Sequence, residues 1–277
     1  MRESNVTKII KYILLILFSV LTFFPLLWMI VNSFKLSENI LNNPLNLAPD
    51  FLDFRNFEGA LELAPFNLYI FNSIWTSIAI VFLQILLSLM MGFALSRFEF
   101  KGKGALFKAI FLTYMLPSAA TYVPSYVILA NMGLIDTKLG IIISNIASVF
   151  AIYMFYNTFR SVPNEMIEAA EIDGATNSQI LFRVLVPVSK STIITTSLVQ
   201  FVAMYNNYMW PSLITHSKEN YLISVGLSQF FSGQGNFAAN LPKLMAANTI
   251  SVLPLLILFL VLQKWFIRGI SDSGVKG

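Results

Sequence analysis

Glu168-Ala169-Ala170-Glu171-Ile172-Asp173-Gly174-Ala175, followed by Pro187, stands between two long apolar runs. Four carboxylates, Glu165, Glu168, Glu171 and Asp173, crowd this one connection. A bare linker would be shorter and blander, so the segment reads as a surface with a job. Its local structure can be written down. Ser161 is placed to cap a helix with Pro163 in its first turn, where the missing N–H needs no partner. Glu165 and Glu168 then lie near the positive end of the helix dipole. Gly174 takes the left-handed conformation that ends a helix over 163–172. A second helix over 177–186 runs toward Pro187 and into the next apolar run. Met166, Ala169 and Ala170 fall on one side of the first helix. A helix lying on lipid would carry Lys and Arg on its polar face. Acids dominate here, which favours a protein partner.

Composition sets the class. Hydrophobic residues make up 56% of the chain and charged ones 12%, with 25 Phe, far from the usage of a soluble domain. The charges are segregated, leaving uncharged runs at Tyr12–Phe34, Leu63–Ser96, Ala109–Ile135, Leu139–Phe159, Ser191–Thr215 and Leu244–Gln263. Each is long enough to cross about 30 Å of hydrocarbon at 1.5 Å per residue. The run Asn220–Pro242 is excluded, because Gln229, Gln234, Asn236 and Asn240 would strand polar groups in lipid. The expectation is an all-α membrane protein with six spans, at about 12–34, 70–95, 107–131, 139–159, 191–214 and 244–265. A single transmembrane domain fills residues 1–277, and the acidic loop covers about 161–190. Pro25, Pro117, Pro124, Pro211 and Pro254 are expected to bend or break the spans.

Of 18 Lys and Arg, 13 fall on the side of the N-terminus: Arg2, Lys8, Lys11, Arg97, Lys101, Lys103, Lys108, Arg160, Arg183, Lys190, Lys264, Arg268 and Lys276. By the positive-inside rule, both termini and the acidic loop are cytoplasmic. The net charge of +4 is then topology rather than a nucleic-acid signal. The apolar run after Lys11 is too long for a signal core and reads as an uncleaved first span. The outside segment from Lys35 to about Phe66 reads equally as short surface helices or as a solvated loop. The absence of cysteine excludes disulfides and thiolate chemistry. No metal-binding set is read.

The E-A-A, D-G-A and proline pattern at 168–187 resembles the cytoplasmic EAA loop of ABC importer permeases. Tyr205-Asn206-Asn207-Tyr208-Met209-Trp210-Pro211 resembles the W-N-x-x-x-W-P signature of the carbohydrate-uptake branch, with Tyr205 in place of the first Trp. That branch is represented by the second permease of the maltose importer. Gln263-Lys264-Trp265-Phe266-Ile267-Arg268-Gly269-Ile270, with the terminal Gly274-Val275-Lys276-Gly277, resembles its C-terminus. The resemblance implies a type I importer permease fold with a coupling helix in the loop. It implies a second, different permease, two ATPase subunits and an extracellular substrate-binding protein as partners. It assigns ATPase coupling to Glu165, Glu168, Ala169, Ala170, Asp173, Gly174, Ala175 and Pro187. ATP and Mg belong to the partner ATPase, and this chain needs no cofactor of its own. Gly102-Lys103-Gly104 is a basic turn without the spacing of a phosphate loop, so the chain is read as a transport subunit and not an enzyme.

Sugars are held by planar amides and aromatic faces, which Asn206, Asn207, Tyr208 and Trp210 supply. If the fifth span stays regular up to Pro211, Asn207 and Trp210 share a face. The alternative is that the two asparagines cap the bend and bond neighbouring helices. Ser232, Gly233, Gln234, Gly235 and Asn236 match in position the family's outer loop that probes the binding protein. The C-terminal Gly274, Val275, Lys276 and Gly277 are expected to reach the ATPase. His216 reads as an ordinary surface residue. A secondary transporter would carry an ionisable residue deep in a span, and none of the six runs does. A glycerol-3-phosphate or polyol importer is the alternative within the family. Its phosphate would favour basic groups along the path, and the runs hold none.

Overall fold

The computed structural model describes residues 5–233 and 237–274, and the side chains of these except at 233, 237 and 265–274. Among the described residues every regular element is helical. Three segments are each long and apolar enough to cross a bilayer: α1 (Asn5–Asn32), α4 (Phe66–Arg97), and Ala238–Lys264 within α15 (Phe237–Gly274). The remaining apolar runs form bent pairs. α5 (Lys103–Tyr114) meets α6 (Ser118–Asn131) at 100°, and α7 (Lys138–Ser144) meets α8 (Val149–Arg160) at 44°. Residues 177–188 meet α12 (Lys190–Tyr205) at 81°. Counting each pair as one crossing gives six.

The first break falls where Pro117 precedes Ser118 as the cap of α6, since proline has no N–H to continue the turn. Pro25, Pro124 and Pro254 lie inside helices that continue through them. The fifth run departs from the expected span. α12 ends at Tyr205, and a separate helix, α13 (Met209–Ile214), follows. The excluded run holds only an 11-residue helix, α14 (Ile223–Gly233), ahead of α15.

The chain forms two compact units. One comprises residues 1–67 and 226–254. In it the segment after α1 folds into α2 (Ser37–Asn42) and α3 (Arg55–Leu63), so short helices win over a solvated loop. Lys35 is 1% exposed and its ammonium donates to the Asn46 carbonyl. Asn56 Nδ2 donates to the carbonyls of Ser33 and Lys35, each at 2.9 Å. Phe34, Phe54 and Phe57 pack at centroid distances of 5.3–6.0 Å, with Phe54 edge to face against both others. Hydrogen bonds from Leu36 N and Asn39 hold the Asp50 carboxyl below its ordinary range. α1 contributes none of its apolar stretch to the interior.

The other unit, residues 68–225 and 255–277, is built on α4, α8 and α12. Gly92 of α4 lets the backbone of α8 approach: a β-carbon there would sit 2.9 Å from Phe155 Cβ and 3.0 Å from Tyr156 N. Phe93, Phe155 and Phe159 close a core with Ile167, Ile180 and Leu185. A second core gathers Ile80, Leu129, Ile141, Trp210, Ile214 and Leu222. Between α6 and α7, Asp136 adopts φ 55°, a region aspartate tolerates better than most residues. Its carboxylate accepts from His216 N, Ser217 N and Ser217 Oγ. Desolvation pushes this carboxyl up, but the bonds from Ser217, His216 and Asn220 together outweigh it and hold the pKa at about 2.

Candidate functional site

The acidic loop folds as a short helix pinned from one side. α9 spans Asn164–Ile172. Its cap is Pro163, extended at φ −55° and ψ 139°, with no side-chain bond. Ser161 does not cap it, because its Oγ donates back to the Thr158 carbonyl at 2.8 Å. Glu165 occupies the first turn, where a carboxylate complements the dipole.

The far end closes as expected. Gly174 has φ 78°. Its N–H donates to the Glu171 carbonyl at 3.0 Å, and Ala175 N donates to the Ala170 carbonyl at 2.9 Å. This is a Schellman closure, with Ala170 and Ala175 both packed on the core beneath. Thr176 and Gln179 then form a reciprocal capping box, which aligns the next helix without a linker.

That next segment differs from the regular helix expected over 177–186. α10 (Asn177–Gln179) passes into a π-helical stretch, Ile180–Leu185, and then α11 (Val186–Val188). Pro187 explains the widening, because it has no N–H for the Arg183 carbonyl and its ring needs room beside that turn.

On α9 only Ile167 is buried, and Ala170 packs partly beneath it. Ala170 therefore faces inward, away from Met166 and Ala169, contrary to the expected common side. Outward lie Glu165, Met166, Glu168, Ala169, Asp173 and Gly174, with Ile172 87% exposed. Met166, Ala169 and Ile172 sit three apart and make a slanting apolar strip flanked by carboxylates.

The amide and aromatic residues after α12 are not one face. Asn206 is exposed, and its Nδ2 donates to the Val202 carbonyl at 2.9 Å, closing the helix end. Asn207 is half-buried, and its carbonyl accepts from Ser224 Oγ at 2.6 Å. Tyr208 is exposed. Trp210 is buried in the second core, stacks on Tyr122 at 5.6 Å and donates Nε1–H to Ser144 Oγ at 2.8 Å. The break at 206–208 separates Asn207 from Trp210, so the shared helix face is not formed.

Ser232 is exposed in the last turn of α14, which Gly233 closes. Gln234, Gly235 and Asn236 lie outside the described residues. α15 runs on past the expected span end at about 265 to Gly274, and Val275, Lys276 and Gly277 lie outside the described residues.

A polar set was missed at the break between α7 and α8. Gln84 Nε2 donates to the Asn145 carbonyl at 2.7 Å, and Gln200 Nε2 donates to Ser148 Oγ. Gln84 is 3% exposed and its Oε1 has no partner. Buried amides in uncharged apolar runs were the available signal, since they are costly unless satisfied.

These apolar helices, broken at polar points, define a multi-pass bacterial plasma-membrane protein of the transport type. Residues 84–272 match the family described as binding-protein-dependent transport system inner membrane component, and the chain belongs to that family. It is 30% identical to an arabinooligosaccharides transport system permease protein of Halalkalibacterium halodurans, over 99% of this chain and 100% of that one. It is 29% identical to an sn-glycerol-3-phosphate transport system permease protein of Brucella abortus, over 98% of each. A crystal structure of a bacterial ABC transporter involved in import of the acidic polysaccharide alginate contains a chain of the same fold. The TM-score is 0.84 at 23% identity, covering 96% of this chain and 99% of that one.

Proposed function

We propose that this chain is a membrane-spanning subunit of an ATP-driven importer, and that its substrate is a carbohydrate delivered by an extracellular binding protein. The carrying observation is α9: a helix closed at Gly174, seated by Ile167 and presenting Met166, Ala169 and Ile172 between carboxylates. With both termini cytoplasmic, that strip meets a separate ATPase that binds ATP and Mg. Glu165, Glu168, Ala169 and Asp173 face the partner. Ala170, Gly174, Ala175 and Pro187 shape the segment that presents them. Closure of the ATPase then moves α9 and the helices packed on it, switching access from one membrane face to the other. A second permease completes the path, Ser232 to Asn236 meet the binding protein, and Gly274 to Gly277 reach the ATPase.

Two observations support sugar as the passenger. Relatives named for arabinooligosaccharides and diacetylchitobiose match over most of this chain. Asn206, Asn207 and Tyr208 cluster at a helix break, where irregular backbone is tolerated beside a cavity. The relative named for glycerol-3-phosphate keeps that class as the second reading. The test is uptake by vesicles carrying the transporter assembled with its own ATPase and binding protein. Sugar-dependent ATP hydrolysis that Gly174→Val abolishes, with the chain still inserted, is the expected result. Stimulation by glycerol-3-phosphate alone would favour the second reading, and normal coupling in Gly174→Val would overturn the role of α9.

A further inference from the structure

We propose that Arg97 is a positioning residue that sets the orientation of α9, resting on the reading of α9 as the docking helix. Arg97 is the last residue of α4, far in sequence from the acidic loop. Its guanidinium nevertheless reaches the end of α8, the turn after it and the start of α9. Nη2 donates to the Phe159 carbonyl in the last turn of α8 and to the Val162 carbonyl at 2.9 Å. Nη1 donates to Asn164 Oδ1, on the first residue of α9, at 2.6 Å. Bonds from an ionised donor are shorter and stronger than neutral ones. The planar fork also fixes directions that a single ammonium does not.

The need for such a fixture is visible in α9 itself. It has nine residues and one buried side chain, Ile167, and a helix that short does not hold its form or angle unaided. The Schellman closure secures its far end, at Gly174. Arg97 secures the near end and joins it to the longest helix of this unit. A displacement of α9 therefore reaches α4 through hydrogen bonds as well as through packing.

One donor is unspent. Arg97 Nε is buried and has no partner. Arg97 also lines a pocket of about 240 Å³ whose other walls include Glu168 and Glu171 of α9. A tilt of α9 that narrows the pocket carries these carboxylates toward the guanidinium, which then holds α9 in a second position.

Spin labels test this in the full-length chain, in lipid nanodiscs, because the chain has no cysteine of its own. One label at Met166→Cys reports α9, and a second at the exposed Phe82→Cys reports α4. The wild-type background is expected to give one narrow distance peak. Arg97→Gln is expected to split or broaden it, and Arg97→Lys to restore it only in part. Asn164→Ala, which removes one bond of the three, serves if Arg97→Gln fails to fold, and it too is expected to broaden the peak. An unchanged peak in the variants that fold overturns the proposal, even if their melting temperature falls. Adding the ATPase separates the two readings. If the peak broadens but the wild-type chain neither binds nor stimulates an ATPase, the proposed function fails and the positioning role stands.

Discussion

Gly174 is held by conformation and not by crowding. At φ 78° nothing lies within 4 Å of the position a β-carbon would take. An L-residue in that conformation costs about 1–2 kcal/mol, so Gly174→Ala is expected to loosen the end of α9 mildly and Gly174→Val strongly. Amide exchange at Ala175, whose N–H closes the motif, measures both. Asp136 supplies a pH dependence. Its folded pKa of about 2 lies below the ordinary carboxylate value of about 3.9. The stability it contributes is thus full above pH 4 and is lost as pH falls from about 4 to about 2. Melting curves of wild type and Asp136→Asn should converge across that window. If they stay parallel, the carboxylate is not what pins His216 and Ser217. For the amide cluster, a cysteine at Asn207 is expected to react with a water-soluble thiol reagent, and one at the buried Trp210 to react far more slowly. Equal rates would place Trp210 on an open path.

At the scale of the element, α4 and α8 are held together by an absence. Gly92→Ala gains helix propensity of about 1 kcal/mol but forces a methyl into 2.9 Å contact with Phe155 Cβ. Overpacking of this kind costs about 1–3 kcal/mol, so the substitution is expected to lower the melting temperature in detergent. A rise would mean that the helices part without penalty. The helix-ending signal at Gly174 could be read directly from the chain, because left-handed glycine after a polar helix is a local matter. The apolar runs were equally local, and α1 and α4 arose where charge was missing. The breaks were harder. Pro117 stands at the break ahead of α6 while Pro124 lies inside α6, so the presence of proline alone does not say where a helix stops. The π-helical stretch before Pro187, the end of α12 at Tyr205 and the grip of Arg97 on α8 and α9 all depend on tertiary partners that no local pattern specifies.

For the molecule as a whole, orientation is the property that most constrains function. By the positive-inside rule the excess of Lys and Arg is expected to put α9 on the cytoplasmic side. In sealed vesicles, a cysteine at the exposed Ile172 is expected to label only from that side. One at the exposed Lys218 should label only from the other. Reversed labelling would remove the ATPase-docking role from α9 while leaving the family assignment intact. One further property follows from α1, whose most apolar stretch has no buried residue. Its contacts gather at its end, where Trp28 Nε1 donates to the Pro44 carbonyl at 2.5 Å and Asn32 is buried. The place of that stretch in lipid is therefore decided by its own hydrophobicity rather than by packing within this unit.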